Sequence, residues 1–255
     1  MNKILNRVPE VTIYFWIIKV LATTVGETAA DFLSATLNLG LGITSYIMSG
    51  VLLIALFNQF KLKRYVPAFF WFVVVLISIV GTLITDRLVD EIGVSLLTTT
   101  VMFSIFLSVV FALWYSNEKT LAMHSINTAK RERFYWIAVL FTFALGTATG
   151  DLLAEFLRLG YAQSAFIFGA SIAVIAIAYY YFRMNAVFAF WLVYILTRPL
   201  GASMGDLLSQ SATNGGFGFG TVGTSMLFLS IIVSLVIYLS LKQKKPALLP
   251  IDRQN

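Results

Sequence analysis

The sequence has no cysteine, a single histidine and few charges: only 12% of its 255 residues are Asp, Glu, Lys or Arg. Without cysteine it can form neither a disulfide nor a thiolate-ligated metal site. An ordinary soluble domain is about 25% charged, whereas 59% of this chain is hydrophobic, so the composition predicts a membrane protein. Because the one histidine, His124, lies in a polar stretch, haem held by histidine inside the membrane is excluded, and any other cofactor stays open.

Hydropathy predicts an all-α fold of eight membrane-spanning helices. Apolar runs of roughly 17–25 residues are long enough to cross a bilayer as helices. The runs cover residues 11–35, 43–60, 65–89, 94–116, 134–157, 162–182, 185–208 and 221–241. Since they take up most of the chain, any function has to be built from these helices and their short connections.

The basic residues alternate between the two sides of the predicted helices. Fourteen of the eighteen lie in the N-terminal segment, in alternate connections and in the C-terminal tail. Cytoplasmic segments carry the excess of Lys and Arg, so both termini are predicted to be cytoplasmic. This distribution accounts for the net charge of +6 without a nucleic-acid partner. The expected partners are the lipid bilayer and a small ion or solute, and the oligomeric state stays open.

One pattern occurs four times: an aromatic residue followed by Trp, then nine residues, Gly, four residues and Asp. It includes four of the five tryptophans and four of the six aspartates. The copies contain Trp16, Gly26 and Asp31, then Trp71, Gly81 and Asp86, then Trp136, Gly146 and Asp151, and finally Trp191, Gly201 and Asp206. The tryptophans are 55, 65 and 55 residues apart, so the pattern indicates a nested internal duplication.

The nested spacing predicts two pseudo-symmetric halves of two repeats each. The halves are residues 1–116 and 134–245, joined by a cytoplasmic linker at 117–133 and followed by a cytoplasmic tail at 246–255. Each repeat contains two spans, so all four copies enter the membrane in the same direction as parallel two-helix repeats. Each motif helix then begins at the cytoplasmic side with its Trp, and its Asp lies about 22 Å further along, in the outer half of the membrane.

Helical geometry places the Trp, Gly and Asp of each copy on one broad face. The residue before each Asp is small and lies four positions after the Gly. Such small-xxx-small spacing lets helix backbones approach closely. We therefore interpret the motif tryptophans and glycines as helix-packing residues.

The tandem two-span repeats, each marked by a tryptophan, resemble an uncharacterised family of bacterial inner-membrane proteins built of four such repeats. The resemblance covers nearly the whole chain. It implies this repeat architecture and a multi-pass location in the bacterial inner (plasma) membrane. It implies no activity or ligand.

Acidic residues inside the predicted spans form the candidate site, because an intramembrane charge is costly unless it is paired or hydrated. Besides the motif aspartates, Glu27 and Glu155 lie four residues from Asp31 and Asp151, on the same helical faces. Carboxylates that project together repel each other unless a proton or cation intervenes. We interpret these six acids as an ion or proton pathway, and the four motif aspartates as the ligands if a metal binds. The alternative is that each Asp accepts hydrogen bonds from nearby hydroxyls, or pairs with Lys19, Arg87 or Arg198, and only locks the bundle.

Two basic residues, Lys19 and Arg198, are candidates for a gate or for charge partners of the acids. Lys19 lies one turn after Trp16 and is expected to snorkel toward the cytoplasm, with a positive gate as the other interpretation. Arg198 lies deeper and precedes Pro199, which should kink the helix. That helix is the candidate for a moving or substrate-contacting element, and a salt bridge from Arg198 to a motif Asp is the alternative.

These features predict an integral membrane transporter or channel for a small cation, such as a proton, Na⁺ or a divalent metal like Mn²⁺ or Mg²⁺, or for a proton-coupled solute. The alternative is a non-transporting membrane scaffold or partner-binding protein in which the aspartates are structural. No enzyme is expected, because the spans contain no His, Cys or credible nucleophile-base pair.

Overall fold

The computed structural model describes residues 6–244, apart from the side chains of Glu155 and Lys244. Its eight long helices are α1 (Ile13–Asp31), α2 (Leu41–Lys61), α3 (Pro67–Asp86), α4 (Leu96–Glu118), α5 (Ala129–Asp151), α6 (Tyr161–Phe182), α7 (Ala186–Ser209) and α8 (Gly220–Lys244). All eight are long and apolar enough to cross a membrane. The predicted all-α fold with eight spans is therefore confirmed, while the tail at 246–255 lies outside the described residues.

The start of α5 differs from the predicted span. The helix begins at Ala129 rather than at residue 134, because its first turn is polar and escapes a reading based on hydropathy. The side chain of Thr128 caps this turn by accepting a hydrogen bond from the backbone N–H of Arg131 at 3.3 Å. Such a cap satisfies one of the free N–H groups at a helix start.

The four helices that carry the motif form an inner ring in which α1 packs on α3, α3 on α5, α5 on α7 and α7 on α1. At one end of the ring, the motif aromatic residue of each repeat packs on the motif Trp of the next. The ring centroids are 5.6 Å apart for Phe15 and Trp71, 5.1 Å for Phe70 and Trp136, 6.4 Å for Tyr135 and Trp191, and 5.5 Å for Phe190 and Trp16. We call this the aromatic end, and the opposite end, with the motif aspartates, the acidic end.

The motif glycines also join each repeat to the next, one to two turns before the acidic end. A Cβ on Gly26 would overlap Ser78, one on Gly81 would overlap Phe143, one on Gly146 would overlap Arg198, and one on Gly201 would overlap Thr23. Each partner lies three residues before the motif glycine of its own helix. One close contact is therefore made four times, and its last copy closes the fourth repeat onto the first.

The outer helices also join each repeat to the next. The second helix of each repeat packs on the inner helix of the next repeat: α2 on α3, α4 on α5, α6 on α7, and α8 on α1. The inner helices are largely buried, whereas the outer helices expose most of their side chains, as expected for surfaces that face lipid. The four repeats thus form one closed ring of parallel inner helices.

Three of the inner helices change their winding directly after the motif Asp. Each continues into one π-helical segment: Phe32–Thr36 after Asp31, Arg87–Glu91 after Asp86, and Leu152–Phe156 after Asp151. The fourth inner helix continues from Asp206 to Ser209 without one. Short π-helical segments within helices are frequent at functional sites, so the winding marks the acidic end as distinct from the rest of the ring.

The connection between α4 and α5 packs against the aromatic end. The indole N–H of Trp191 donates to the carbonyl of Leu121 at 3.0 Å. Glu132, whose side chain is fully buried, pairs with Arg7 at 2.7 Å and accepts a hydrogen bond from Gln59 at 2.9 Å. A carboxylate with this many donors ties the N-terminal segment, α2 and α5 together.

The contacts of the glycines lead to a stability prediction for Gly81→Ala. A Cβ at this position would lie 2.7 Å from Cβ of Phe143 and 3.2 Å from the backbone of Ala144, and backbone atoms cannot move aside as a flexible side chain can. Overpacking of this kind costs about 1–3 kcal/mol. We expect a lower unfolding temperature for the purified variant in detergent.

The matched control is Gly169→Ala in α6, where a Cβ would meet no atom within 4 Å. Alanine favours a helix over glycine by up to about 1 kcal/mol, so this variant should unfold at the same temperature as wild type or higher. Equal unfolding temperatures for the two variants would show that the inner helices are not in close contact at Gly81.

Candidate functional site at the axis of the inner ring

A buried ion pair lies where the four inner helices meet. Nη2 of Arg198 in α7 is 2.8 Å from Oε2 of Glu27 in α1, and the two side chains are 0% and 7% exposed. The same guanidinium donates to Oγ1 of Thr147 at 2.7 Å, to Oγ1 of Thr82, and to the carbonyl of Thr23 at 3.4 Å. Since taking two charges out of water is unfavourable, these extra hydrogen bonds are what make the pair tolerable there.

The partners of Arg198 come from equivalent positions of the repeats. Glu27, Thr82 and Thr147 each follow directly after a motif glycine, and Ala202 takes that place in the fourth repeat. Thr82 also donates to Glu27 at 3.1 Å. The inner helices therefore turn the same face toward the axis, and the residue types on that face differ from repeat to repeat.

Carboxylates gather at the acidic end. Asp86 interacts electrostatically with Glu27, Asp31, Asp90 and Asp151, so acids from the first three repeats lie close together. Asp31, Asp86 and Asp151 are partly exposed. In the fourth repeat Asp206 is buried, with 9% of its surface exposed.

The predicted pathway also includes Glu155, and the four motif aspartates as ligands if a metal binds. The side chain of Glu155 lies outside the described part of the structure. Among the side chains that are described, no group of three or more His, Asp or Glu residues has an arrangement that could hold a metal ion. Glu27 interacts electrostatically with Asp86 of the acidic end and also pairs with Arg198.

Lys19 does not snorkel, so the expectation that it reaches the membrane surface is wrong. Its side chain is 0% exposed, and Nζ lies 4.2 Å from the ring centroid of Phe143 and 4.4 Å from that of Tyr194. Nζ has no hydrogen-bond partner among the described residues. The charged group that interacts with it is Arg198. The periodicity predicts that Lys19 lies on the inner face, but there the aromatic rings of Phe143 and Tyr194 pack against its Nζ and the side chain is fully buried.

The ion pair of Arg198 in the structure is with Glu27, and the predicted alternative, a salt bridge from Arg198 to a motif Asp, is not the pair observed. The α-helix α7 continues through the adjacent Pro199. The proline ring packs against α5, where atoms of Pro199 would lie 3.0 Å from a Cβ on Gly146 and 3.7–3.8 Å from one on Gly150. Arg198 and Pro199 thus contact the same neighbouring helix.

Hydroxyl groups join the inner helices through backbone carbonyls. Thr24 of α1 donates to the carbonyl of Gly201 in α7 at 2.9 Å, and Thr85 of α3 donates to the carbonyl of Ala144 in α5 at 3.0 Å. Buried polar groups need such partners. These bonds add polar cross-links to the glycine contacts at the same depth.

Three residues of the site were not predicted from the sequence. Phe143 takes the place of Arg198 in the third repeat, three residues before the motif glycine, and Tyr194 takes the place of Lys19 in the fourth, seven residues before it. Aligning the four copies position by position would have found both. Glu132 lies outside the repeated pattern, and nothing in the sequence singles it out.

The chain belongs to the family described as DUF347, a repeat of unknown function. The family model matches four tandem segments, residues 14–65, 69–120, 134–185 and 189–245. The predicted resemblance to a family of four two-helix repeats is therefore confirmed. No curated protein and no solved structure matches the chain.

The ion pair leads to a prediction for Glu27→Gln. The variant leaves the guanidinium of Arg198 buried without a counter-charge, and breaking a buried pair from one side costs about 3–5 kcal/mol. The double variant Glu27→Gln, Arg198→Gln removes both charges and should recover part of this loss. Thermal or denaturant unfolding of the purified proteins measures both effects.

The matched control is Glu91→Gln, which breaks the pair of Arg87 with Glu91 at 3.3 Å, where Glu91 is 47% exposed. Pairs at a surface contribute little, so this variant should unfold like wild type. If Glu27→Gln were as stable as Glu91→Gln, the axial pair would not hold the ring together.

Proposed function

We propose that this multi-pass membrane protein is a transporter that moves a proton, another small cation or a proton-coupled solute along the axis of its inner ring. The observation that carries the proposal is the Glu27–Arg198 pair, which lies at the axis with partners on all four inner helices. An ionisable residue in this setting is a functional-site hypothesis by default. No chemical reaction is part of the proposal.

The acidic end supplies the entrance in this proposal. Three of its aspartates are partly exposed, and Asp86 interacts electrostatically with Glu27, so a cation attracted to the acids comes next to the axial pair. A proton competes with Arg198 for the carboxylate of Glu27, because a protonated Glu27 no longer pairs with the guanidinium. Proton binding would thereby release Arg198 and α7, the inner helix with an internal proline.

We place the protein in the bacterial inner membrane, with both termini cytoplasmic and the acidic end outside. The support is the excess of Lys and Arg in the terminal segments and alternate connections. In this orientation the aromatic end, covered by the α4–α5 connection, closes the pathway on the cytoplasmic side. The acidic end then faces the side from which protons enter the cell.

A scaffold in which the acids are structural is the second candidate. It is favoured by the close contacts at the four motif glycines and by the hydroxyl-to-carbonyl bonds between inner helices, since such packing resists movement. In that case Asp→Asn variants would lower the unfolding temperature by amounts that do not depend on pH or added metal. Transport instead requires that they change flux while folding is kept.

The transport test uses proteoliposomes with a pH-sensitive dye inside and a proton gradient across the membrane. We expect Asp31→Asn, Asp86→Asn, Asp151→Asn and Asp206→Asn each to fold and to lower the flux of protons or coupled cations, because the entrance loses charge. The double variant Glu27→Gln, Arg198→Gln should lose flux by at least about tenfold, which corresponds to 1.4 kcal/mol of the barrier.

Glu91→Gln is the control, because its carboxylate is half-exposed and pairs with Arg87 outside the axis. It should conduct like wild type. Flux at the wild-type rate in all four Asp→Asn variants would contradict transport through the acidic end and leave the scaffold as the better account.

A further inference from the structure

Two buried basic side chains lie near each other in the inner ring, and one of them is the arginine of the axial ion pair. Lys19 of α1 and Arg198 of α7 are both 0% exposed, interact electrostatically, and lie over the same aromatic ring. Nζ of Lys19 is 4.2 Å from the ring centroid of Phe143, and Cζ of Arg198 is 5.5 Å from it. A protonated Lys19 is repelled by the guanidinium of Arg198, and the repulsion is strong in a medium of low dielectric constant.

Both side chains have hydrogen-bond donors without an acceptor. Nζ of Lys19 and Nε of Arg198 have no partner among the described residues. A buried polar group of this kind is unfavourable unless it is hydrogen-bonded, and a buried charge more so unless it is paired. The rings of Phe143 and Tyr194 offset part of this for Lys19, but they accept no hydrogen bond of ordinary strength.

Further donors lie beside them. The hydroxyl of Tyr194, whose ring contacts Lys19, and the hydroxyl of Tyr135 are both buried and lie near each other. Neither makes a hydrogen bond of ordinary geometry to a described residue. Lys19, Arg198 and Tyr194 thus bring three buried hydrogen-bond donors from α1 and α7 to this place.

The charges around this place do not cancel. Arg198 is paired with Glu27, and among the described side chains the electrostatic neighbours of Lys19 include Arg198 but no carboxylate. The acids that interact with Asp86 lie on the other side of Glu27, toward the acidic end. With Lys19 protonated, the layer that contains Lys19 and Arg198 therefore carries one more positive than negative charge among the described residues.

We propose that Lys19, Arg198 and Tyr194 form a buried binding site for a small monovalent anion, of the size of chloride or formate. One negative charge balances the surplus, and its lone pairs satisfy the free donors of both basic side chains. The anion has to be small because the aromatic rings of Phe143 and Tyr194 approach Nζ of Lys19 within 4.2 and 4.4 Å. The site does not depend on transport, since an anion there would stabilise a scaffold equally well.

The test measures thermal unfolding of the purified full-length protein by tryptophan fluorescence, with sodium chloride replacing sodium gluconate at constant ionic strength. A ligand that binds only the folded state raises the unfolding temperature in a concentration-dependent way. We expect a saturable rise with chloride and with formate, and no rise with gluconate, which is too large. In Lys19→Met the apparent affinity for chloride should fall by at least about tenfold.

Lys61→Met is a matched control. Nζ of Lys61 also lies 4.2 Å from a phenylalanine ring, that of Phe57, but the lysine is exposed at the end of α2. This variant should respond to chloride as wild type does. A wild-type response in Lys19→Met would place the anion elsewhere and overturn the proposal.

A direct measurement covers the case in which Lys19→Met does not fold. Equilibrium dialysis of wild-type protein against radioactive chloride should give saturable binding that formate displaces and gluconate does not. Absence of saturable binding to the wild type would overturn the proposal without reference to any variant. Neither result changes the flux expected of the Asp→Asn variants, so the anion site and the transport proposal fail or stand separately.

Discussion

The close approach of neighbouring inner helices at the motif glycines is the constraint on which the rest of this structure depends. Each glycine lies against the residue three positions before the next glycine in the ring, so the distance between helices and their rotation about their own axes are set by one contact made four times. With this rotation, the position after each glycine points to the axis. The Glu27–Arg198 pair forms only because α1 and α7 are held in that register.

The ring is symmetric in shape and asymmetric in chemistry. Three residues before the glycine, the repeats have Thr23, Ser78, Phe143 and Arg198. Directly after it they have Glu27, Thr82, Thr147 and Ala202. A guanidinium extends from the first set, and a carboxylate and two hydroxyls receive it from the second. A ring of four identical repeats could not do this, since each residue type would occur at the axis four times or not at all, and four arginines there would repel one another.

Much of this fold could be predicted from the sequence because it is local. Eight helices follow from the lengths of the apolar runs, and the shared face of Trp, Gly and Asp follows from the helical period. The order of contacts around the ring is different, since the hydrogen bond from Thr24 to Gly201 joins residues 177 positions apart, and the pair of Glu27 with Arg198 spans 171. No spacing within one helix predicts which distant helix will be its neighbour.

Because distant neighbours cannot be predicted from spacing within one helix, the surroundings of Lys19 and Arg198 could not be predicted either. Periodicity assigned Lys19 to the inner face, and its distance from the helix start suggested that it could reach water. Whether that end is open depends on the α4–α5 connection, which packs against it through the hydrogen bond from Trp191 to the carbonyl of Leu121. For Arg198 the depth could be predicted but not the partner, because Glu27 and the motif aspartates are all acids that lie further along the inner helices.

The departures from symmetry meet in the fourth repeat. Its inner helix has Arg198 and Pro199 where the first repeat has Thr23 and Thr24, and it is the inner helix that continues past the motif Asp without a π-helical segment. Pro199 has no N–H, so one carbonyl a turn earlier lacks its helical partner. The helix α7, whose Arg198 is bound by the other three inner helices, therefore also lacks one internal hydrogen bond next to that arginine. If one inner helix moves while the glycine contacts among the others persist, we expect it to be α7, because Arg198 and Pro199 both lie in it.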